Sequence, residues 1–161
     1  MNRPLIHTTI QSLIDSLPKG KRLLGLDIGD KTVGLAISDP MFMIASPVKT
    51  LIRGRKLAPT VAEMRALAES EDVGGLLAGL PVSMDGTEGP RCQATRDLAH
   101  EFSTQLGLPL AFWDERLSTA AIERILIQEA DMNRKRRKDV VDKMAASYIL
   151  QGALDSIQGR S

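Results

Sequence analysis

Hydrophobic residues run almost unbroken from Leu23 to Ile28, stop at Gly29-Asp30-Lys31, and resume from Val33 to Ile37. Two β-compatible runs around a glycine-containing turn predict a hairpin, with strands over 22–28 and 32–38. A third strand is expected over 48–52, which completes an antiparallel meander. The pattern then changes period. Pro59 at a tolerated helix start, followed by Met64, Leu67 and Ala68, predicts a crossover helix over 59–70. Gly74 to Leu80 reads as a buried strand. A helix over 91–106 closes at Gly107, a natural cap residue. A fifth strand is expected over 110–113, and Ser118 or Thr119 can cap a helix through Ile122, Ile125 and Leu126. The stretch 131–138 should interrupt that helix, and a last one should run from near Asp139 to Ile157. Upstream, apolar residues between Leu5 and Leu17 at helical spacing predict a short amphipathic helix. The order strand-strand-strand-helix-strand-helix-strand-helix describes an α/β domain: a mixed five-stranded sheet flanked by helices.

At 161 residues the chain suits one domain, expected over 21–157, with residues 1–20 as an N-terminal extension carrying the short helix. No apolar run approaches the roughly 20 residues of a membrane span, and the first twenty residues lack the apolar core of a secretory signal. The cytoplasm is therefore the expected compartment. Cys92 is the sole cysteine and His7 and His100 the only histidines, which excludes an intramolecular disulfide and a cysteine- or histidine-rich metal site. Any metal should be held by oxygen, which points to magnesium or manganese.

Alternation places Asp27 on the same face as Gly25 and Leu23, with Leu24, Leu26 and Ile28 on the other. A carboxylate among Leu and Gly needs a partner, a metal or a cleft, because burying a lone charge is costly. Two more acids should converge on it. Glu115 follows the fifth strand, and Asp142 shares the apolar stripe of Ala145, Ala146, Ile149 and Ala153 early in the last helix. Three hard oxygen donors suit two divalent ions roughly 4 Å apart that promote in-line attack on a phosphodiester. Each acid also has a plainer explanation. Asp27 could bond the turn backbone, Asp114 and Glu115 could pair with Arg116 at a strand end, and Asp142 could favour the positive end of its helix.

The net charge of +1 does not announce a nucleic-acid binder, but cations cluster at Arg134-Lys135-Arg136-Arg137-Lys138, with a smaller group at Arg53, Arg55 and Lys56. The five-residue run should project beside the acid cluster and grip a phosphate backbone. The turn-rich loop from Val82 to Pro90 is either a connection or a rim over the cleft, and Trp113 reads as sheet packing.

The Leu26-Asp27-Ile28-Gly29 hairpin, the Gly79-Leu80-Pro81 loop running to Pro90, Asp114-Glu115-Arg116-Leu117-Ser118-Thr119 and Val141-Asp142-Lys143-Met144-Ala145-Ala146 together resemble the YqgF, or RuvX, family of bacterial RNase H-like nucleases. The likeness covers nearly everything from Arg22 to Leu154. It implies an RNase H-like fold and a magnesium-dependent hydrolase of ester bonds, with Asp27, Glu115 and Asp142 as catalytic metal ligands. Substrates implied are the 5′ end of precursor 16S ribosomal RNA, in ribosome biogenesis, or branched DNA such as a Holliday junction. Lys31, Arg116, Arg134, Arg136 and Arg137 are the expected substrate contacts; Lys31 stands where family members often carry arginine, replacing a bidentate grip with a point charge.

Two rival classes remain. Asp-x-Gly hairpins also bind phosphate in sugar kinases, actin and heat-shock chaperones, but those proteins close two such domains on a nucleotide, and this chain has no repeated hairpin. A non-catalytic RNA-binding ribosome-assembly factor could keep the fold; the acid trio argues against it. Monomer and homodimer are equally compatible with the sequence, as are Asp114 and Glu115 as the principal ligand at the fifth strand.

Overall fold

The computed structural model describes residues 5–117 and 134–159, with residues 134–143 as backbone alone. One sheet holds β1 (Arg22–Ile28), β2 (Thr32–Ser38), β3 (Ala45–Ile52), β4 (Val73–Leu80) and β5 (Leu110–Asp114) in the order β3-β2-β1-β4-β5. The first three strands pair antiparallel, and β4 joins β1 and then β5 in parallel. Around the sheet lie α1 (Ile10–Ser16), α2 (Ala58–Ser70), α3 (Pro90–Leu106) and α4 (Arg134–Ile157), with a 3-10 turn at Glu115–Leu117. Helices lie on both faces of this mixed five-stranded sheet, the α/β arrangement expected from the sequence.

Local chemistry explains the framework. All of β4 is buried, as a parallel strand covered on both faces requires of an apolar, glycine-rich segment. Proline opens both α2 and α3, and Gly107 closes α3 at φ +68°, a left-handed conformation that glycine adopts without steric penalty. The sheet separates two cores. Leu24, Leu26 and Ile28 pack with Met64 and Phe102 under α2 and α3. Leu23, Leu77 and Ala111 pack with Ala146 and Leu150 of α4 and with Ile10 and Leu13 of α1.

Three boundaries differ from expectation. β3 begins at Ala45, three residues earlier than the pattern implies, because Pro47 sits on an edge strand beside a register shift at Leu35/Ala36, where its missing N–H is tolerated. The N-terminal helix is confined to Ile10–Ser16, started by Thr9, whose hydroxyl accepts from the Ser12 amide at 3.0 Å. Ahead of it, Ile6 bridges Leu110 in parallel, with Leu110 N–H donating to Leu5 O at 2.5 Å and His7 N–H to Leu110 O at 2.7 Å. The N-terminal segment thus covers the free edge of β5.

The last helix starts at Arg134, not near Asp139. The basic run is therefore not a loop ahead of the helix but about its first one and a half turns, since arginine and lysine are good helix formers and no breaker separates them from Asp139. Asp142 consequently lies in the third turn, beyond reach of the helix's positive end, which fades within the first turn. The helix expected from Ser118 or Thr119, and the interruption at 131–133, lie outside the described residues. Among the described residues no helix is long and apolar enough to cross a membrane.

Candidate active site

Asp27 is partly buried and lies on the α4 side of the sheet, because Leu23 and its face-mates pack there while Leu24, Leu26 and Ile28 fill the opposite core. Glycine surrounds it. Gly34 is its register partner on β2, and a Cβ on Gly34 would stand 3.5 Å from Asp27 Cβ and 3.7 Å from Ala146 Cβ. A Cβ on Gly25 would come within 2.9 Å of Leu150 Cβ and 3.3 Å of Ala146 O. On β4, a Cβ on Gly79 would meet Ile149 Cδ1 at 2.8 Å and Glu115 Cγ at 2.9 Å. The helix thus rests on bare strand backbone at Gly25 of β1 and Gly79 of β4, where an added Cβ would come under 3.0 Å from its neighbours, while at Gly34 of β2 the contacts would be ordinary ones.

Glu115 enters the same face from the other side of β4. Ala111 and Trp113 pack in the α4 core and Phe112 in the opposite one, so the alternation that carries Asp114 away carries Glu115 back against Gly79. Leu26 pairs with Ala78 and Gly79 with Trp113, so Asp27 and Glu115 flank the end of β4. Parity thus separates the two neighbouring acids. Asp114 is tied to Arg116, whose Nε donates to Oδ1 at 3.1 Å and Oδ2 at 3.0 Å, with Nη2 to Oδ2 at 2.6 Å and the Arg116 amide to Oδ1 at 2.9 Å. These bonds from Arg116 outweigh burial and hold the Asp114 carboxyl below the usual range. Arg116 Nη1 also donates to Met84 O at 3.3 Å, tethering the β4–α3 loop to the strand end. Its fork, expected to meet phosphate, is engaged within the protein.

Position 142 is located by the helix backbone. Along α4, Leu150 stands over Gly25 and Ala146 over Gly34 opposite Asp27, so the helix runs antiparallel to β1. One turn further toward its start comes position 142, at the Asp27 end of the sheet. Ala145, Ala146, Ile149 and Ala153 are all buried, as the stripe requires; the side chains of Asp142, Arg134, Arg136 and Arg137 lie outside the described residues. Among the described residues no group of three or more His, Cys, Asp or Glu could hold a metal ion. Asp27 and Glu115 bring two hard carboxylates to one face of the sheet, a donor set that fits a divalent cation such as magnesium.

The turn after Asp27 is braced by a residue that sequence reasoning had placed only in a minor cationic group. Arg53 Nε donates to Gly29 O at 3.1 Å, Nη2 donates to Gly29 O at 2.5 Å and Asp30 O at 2.8 Å, and the Arg53 amide donates to Lys31 O at 2.8 Å. Three consecutive carbonyls are thereby satisfied from the end of β3. Lys31 itself is exposed at that turn. The structural role of Gly79 was also missed; its position one step before Leu80-Pro81, at the end of a fully buried strand, was the available signal.

A family model described as "RuvX: Holliday junction resolvase" matches residues 21–156. The chain belongs to the RuvX family. Relatives named "Putative pre-16S rRNA nuclease" are similar over most of their length: 59% identical in Gluconacetobacter diazotrophicus, covering 87% of this chain and 90% of the relative, and 52% in Rhodospirillum rubrum, covering 92% of each. The relative in Paramagnetospirillum magneticum, of the same name, is 53% identical over 91% of this chain and 94% of its own. Among solved structures, a Thermus thermophilus RuvC chain in complex with a Holliday junction substrate is similar with TM-score 0.49 at 11% identity, covering 86% of this chain and 96% of that one.

Proposed function

We propose that this RuvX-family protein is a divalent-metal-dependent nuclease that hydrolyses phosphodiester bonds at the 5′ end of precursor 16S ribosomal RNA in the cytoplasm. The observation that carries the reading is the pair Asp27 and Glu115, set on either side of the end of β4 on the sheet face where glycines let α4 approach closely. The names of the relatives support the RNA substrate. Asp27, Glu115 and Asp142 would hold magnesium, or manganese, through oxygen. The ion supplies Lewis-acid stabilisation of charge on the phosphoryl oxygens. The protein's own part is positional: β1 and β5 fix two carboxylates, Arg53 fixes the turn, and Arg116 fixes the strand end through Asp114. Lys31 and the helix-borne cations Arg134, Arg136 and Arg137 hold the phosphate backbone. The family description favours a second reading, resolution of branched DNA.

Both readings meet in one cleavage assay, using a precursor 16S RNA transcript and a synthetic four-way DNA junction with magnesium, for wild type and Asp27→Asn. Trimming of the RNA with the junction intact is expected, and Asp27→Asn should be slower by about a thousandfold or more, the several kcal/mol a metal centre supplies. Cutting of the junction alone selects the second reading. Equal activity of the two proteins refutes both.

A further inference from the structure

A groove of about 450 Å3 opens on the other face of the sheet, between the β1–β2 turn and α3. Small-molecule sites span ~300–1,000 Å3. One wall is the turn, with Ile28, Gly29 and the clamped Arg53; the other is a single face of α3 carrying Arg91, Thr95 and Leu98. Arg91 is exposed and makes no hydrogen bond or ion pair among the described residues. Thr95 is only 4% exposed and lines the groove where α3 meets the sheet. Asp97 and Glu101 stand on the same helix, each bonded among the described residues only by a glutamine one turn away, at 2.9 and 2.8 Å. Asp30 completes the lining on the turn side.

This chemistry discriminates between ligands. A bare anion would meet the carboxylates of Asp30, Asp97 and Glu101 against only Arg53 and Arg91, a net repulsion. A ligand joining a phosphate to a flat ring with hydrogen-bond donors on its edge suits both sets: Arg91 takes the phosphate, Ile28 and Leu98 underlie the ring, and Asp97 takes the ring edge. Gly29 is two extended residues, about 7 Å, beyond Asp27. A nucleic-acid strand leaving the acid-bearing face reaches the groove by rounding the turn, past the exposed cations Lys31, Arg55 and Lys56.

We propose that this groove holds one unpaired nucleotide of the substrate strand, with its phosphate on Arg91 and its base edge on Asp97. The assignment rests on the nuclease reading but is tested through binding alone. Wild type, Asp97→Asn and Arg91→Ala are compared in EDTA by fluorescence anisotropy, on a duplex with a single-stranded extension and on the same duplex without it. Asp97→Asn removes a negative charge, so non-specific electrostatics would tighten binding of both. The proposal expects about five- to a hundredfold weaker binding of the extended duplex, dependent on the base in the extension, with the blunt duplex unaffected. Arg91→Ala should weaken the extended duplex selectively as well. Unchanged or tighter binding by Asp97→Asn overturns the proposal, even where cleavage depends on Asp27 as described. A nucleoside monophosphate separates the sources: it should bind at least about a hundredfold more weakly than the extended strand, and equal affinity would assign the groove to a free nucleotide. Thermal melting of each variant identifies any loss of fold, and a variant of wild-type stability with wild-type binding counts against the proposal.

Discussion

The two faces of the sheet solve different problems with the same strands. Under α2 and α3, β1 presents Leu24, Leu26 and Ile28 to Met64 and Phe102, and large side chains fill the space. Under α4, the intervening positions are Gly25 and Asp27, faced by Gly34 and Gly79, and the helix contributes Ala146 where a leucine would fit a conventional core. One face supplies stability through volume. The other gives up volume so that a helix can approach the backbone beside two carboxylates. Because alternation assigns every second residue to each face, a single strand serves both roles without compromise.

The contrast predicts that substitutions separate into two kinds. The largest stability effect belongs to the packed face: Phe102→Ala should lower unfolding free energy by about 3–5 kcal/mol while leaving the cleavage rate of the folded fraction near wild type, as urea titration and initial rates at low temperature would measure. A large rate loss at preserved stability would break the division. On the helix-covered face, Gly79→Ala should cost about 1–3 kcal/mol, because its methyl must displace Ile149 and Glu115. It should also cut cleavage out of proportion to its destabilisation, since Glu115 moves. A merely destabilised enzyme with an unaltered rate would show that Glu115 tolerates displacement.

The smallest effect tests the acid that parity excludes from the site. Asp114 has a folded-state pKa depressed first by its hydrogen bonds to Arg116, so the pair stabilises fully above the unfolded carboxylate value of about 3.9. That contribution is lost as pH falls through the folded value. Urea stability measured from pH 6 downward should decline more steeply below about pH 4 in wild type than in Asp114→Asn. Identical slopes would mean that the pair contributes nothing to folding.

Much of this division was legible in the residues. The hairpin and the facing of Asp27 follow from period-2 alternation, and the fully apolar β4 announced a central strand. Parity could also have separated Asp114 from Glu115, since Glu115 directly follows the strand, two residues after Trp113, which packs under α4 with Ala111. The start of α4 was hidden because a run of five cations looks like a solvated loop, although each of its residues favours a helix. Arg53's bracing of the turn depends on β3 ending beside residues 29–31. No local pattern encodes that tertiary pairing.

The proposed oxygen-donor metal site lies on the glycine-lined face, not the packed one, and is centred on Asp27. Calorimetric titration of manganese into wild type, Asp27→Asn and Asp114→Asn tests it without reference to any substrate. Saturable binding is expected for wild type and Asp114→Asn, and its loss in Asp27→Asn at unchanged thermal stability. Undiminished binding by Asp27→Asn, or loss confined to Asp114→Asn, would contradict it.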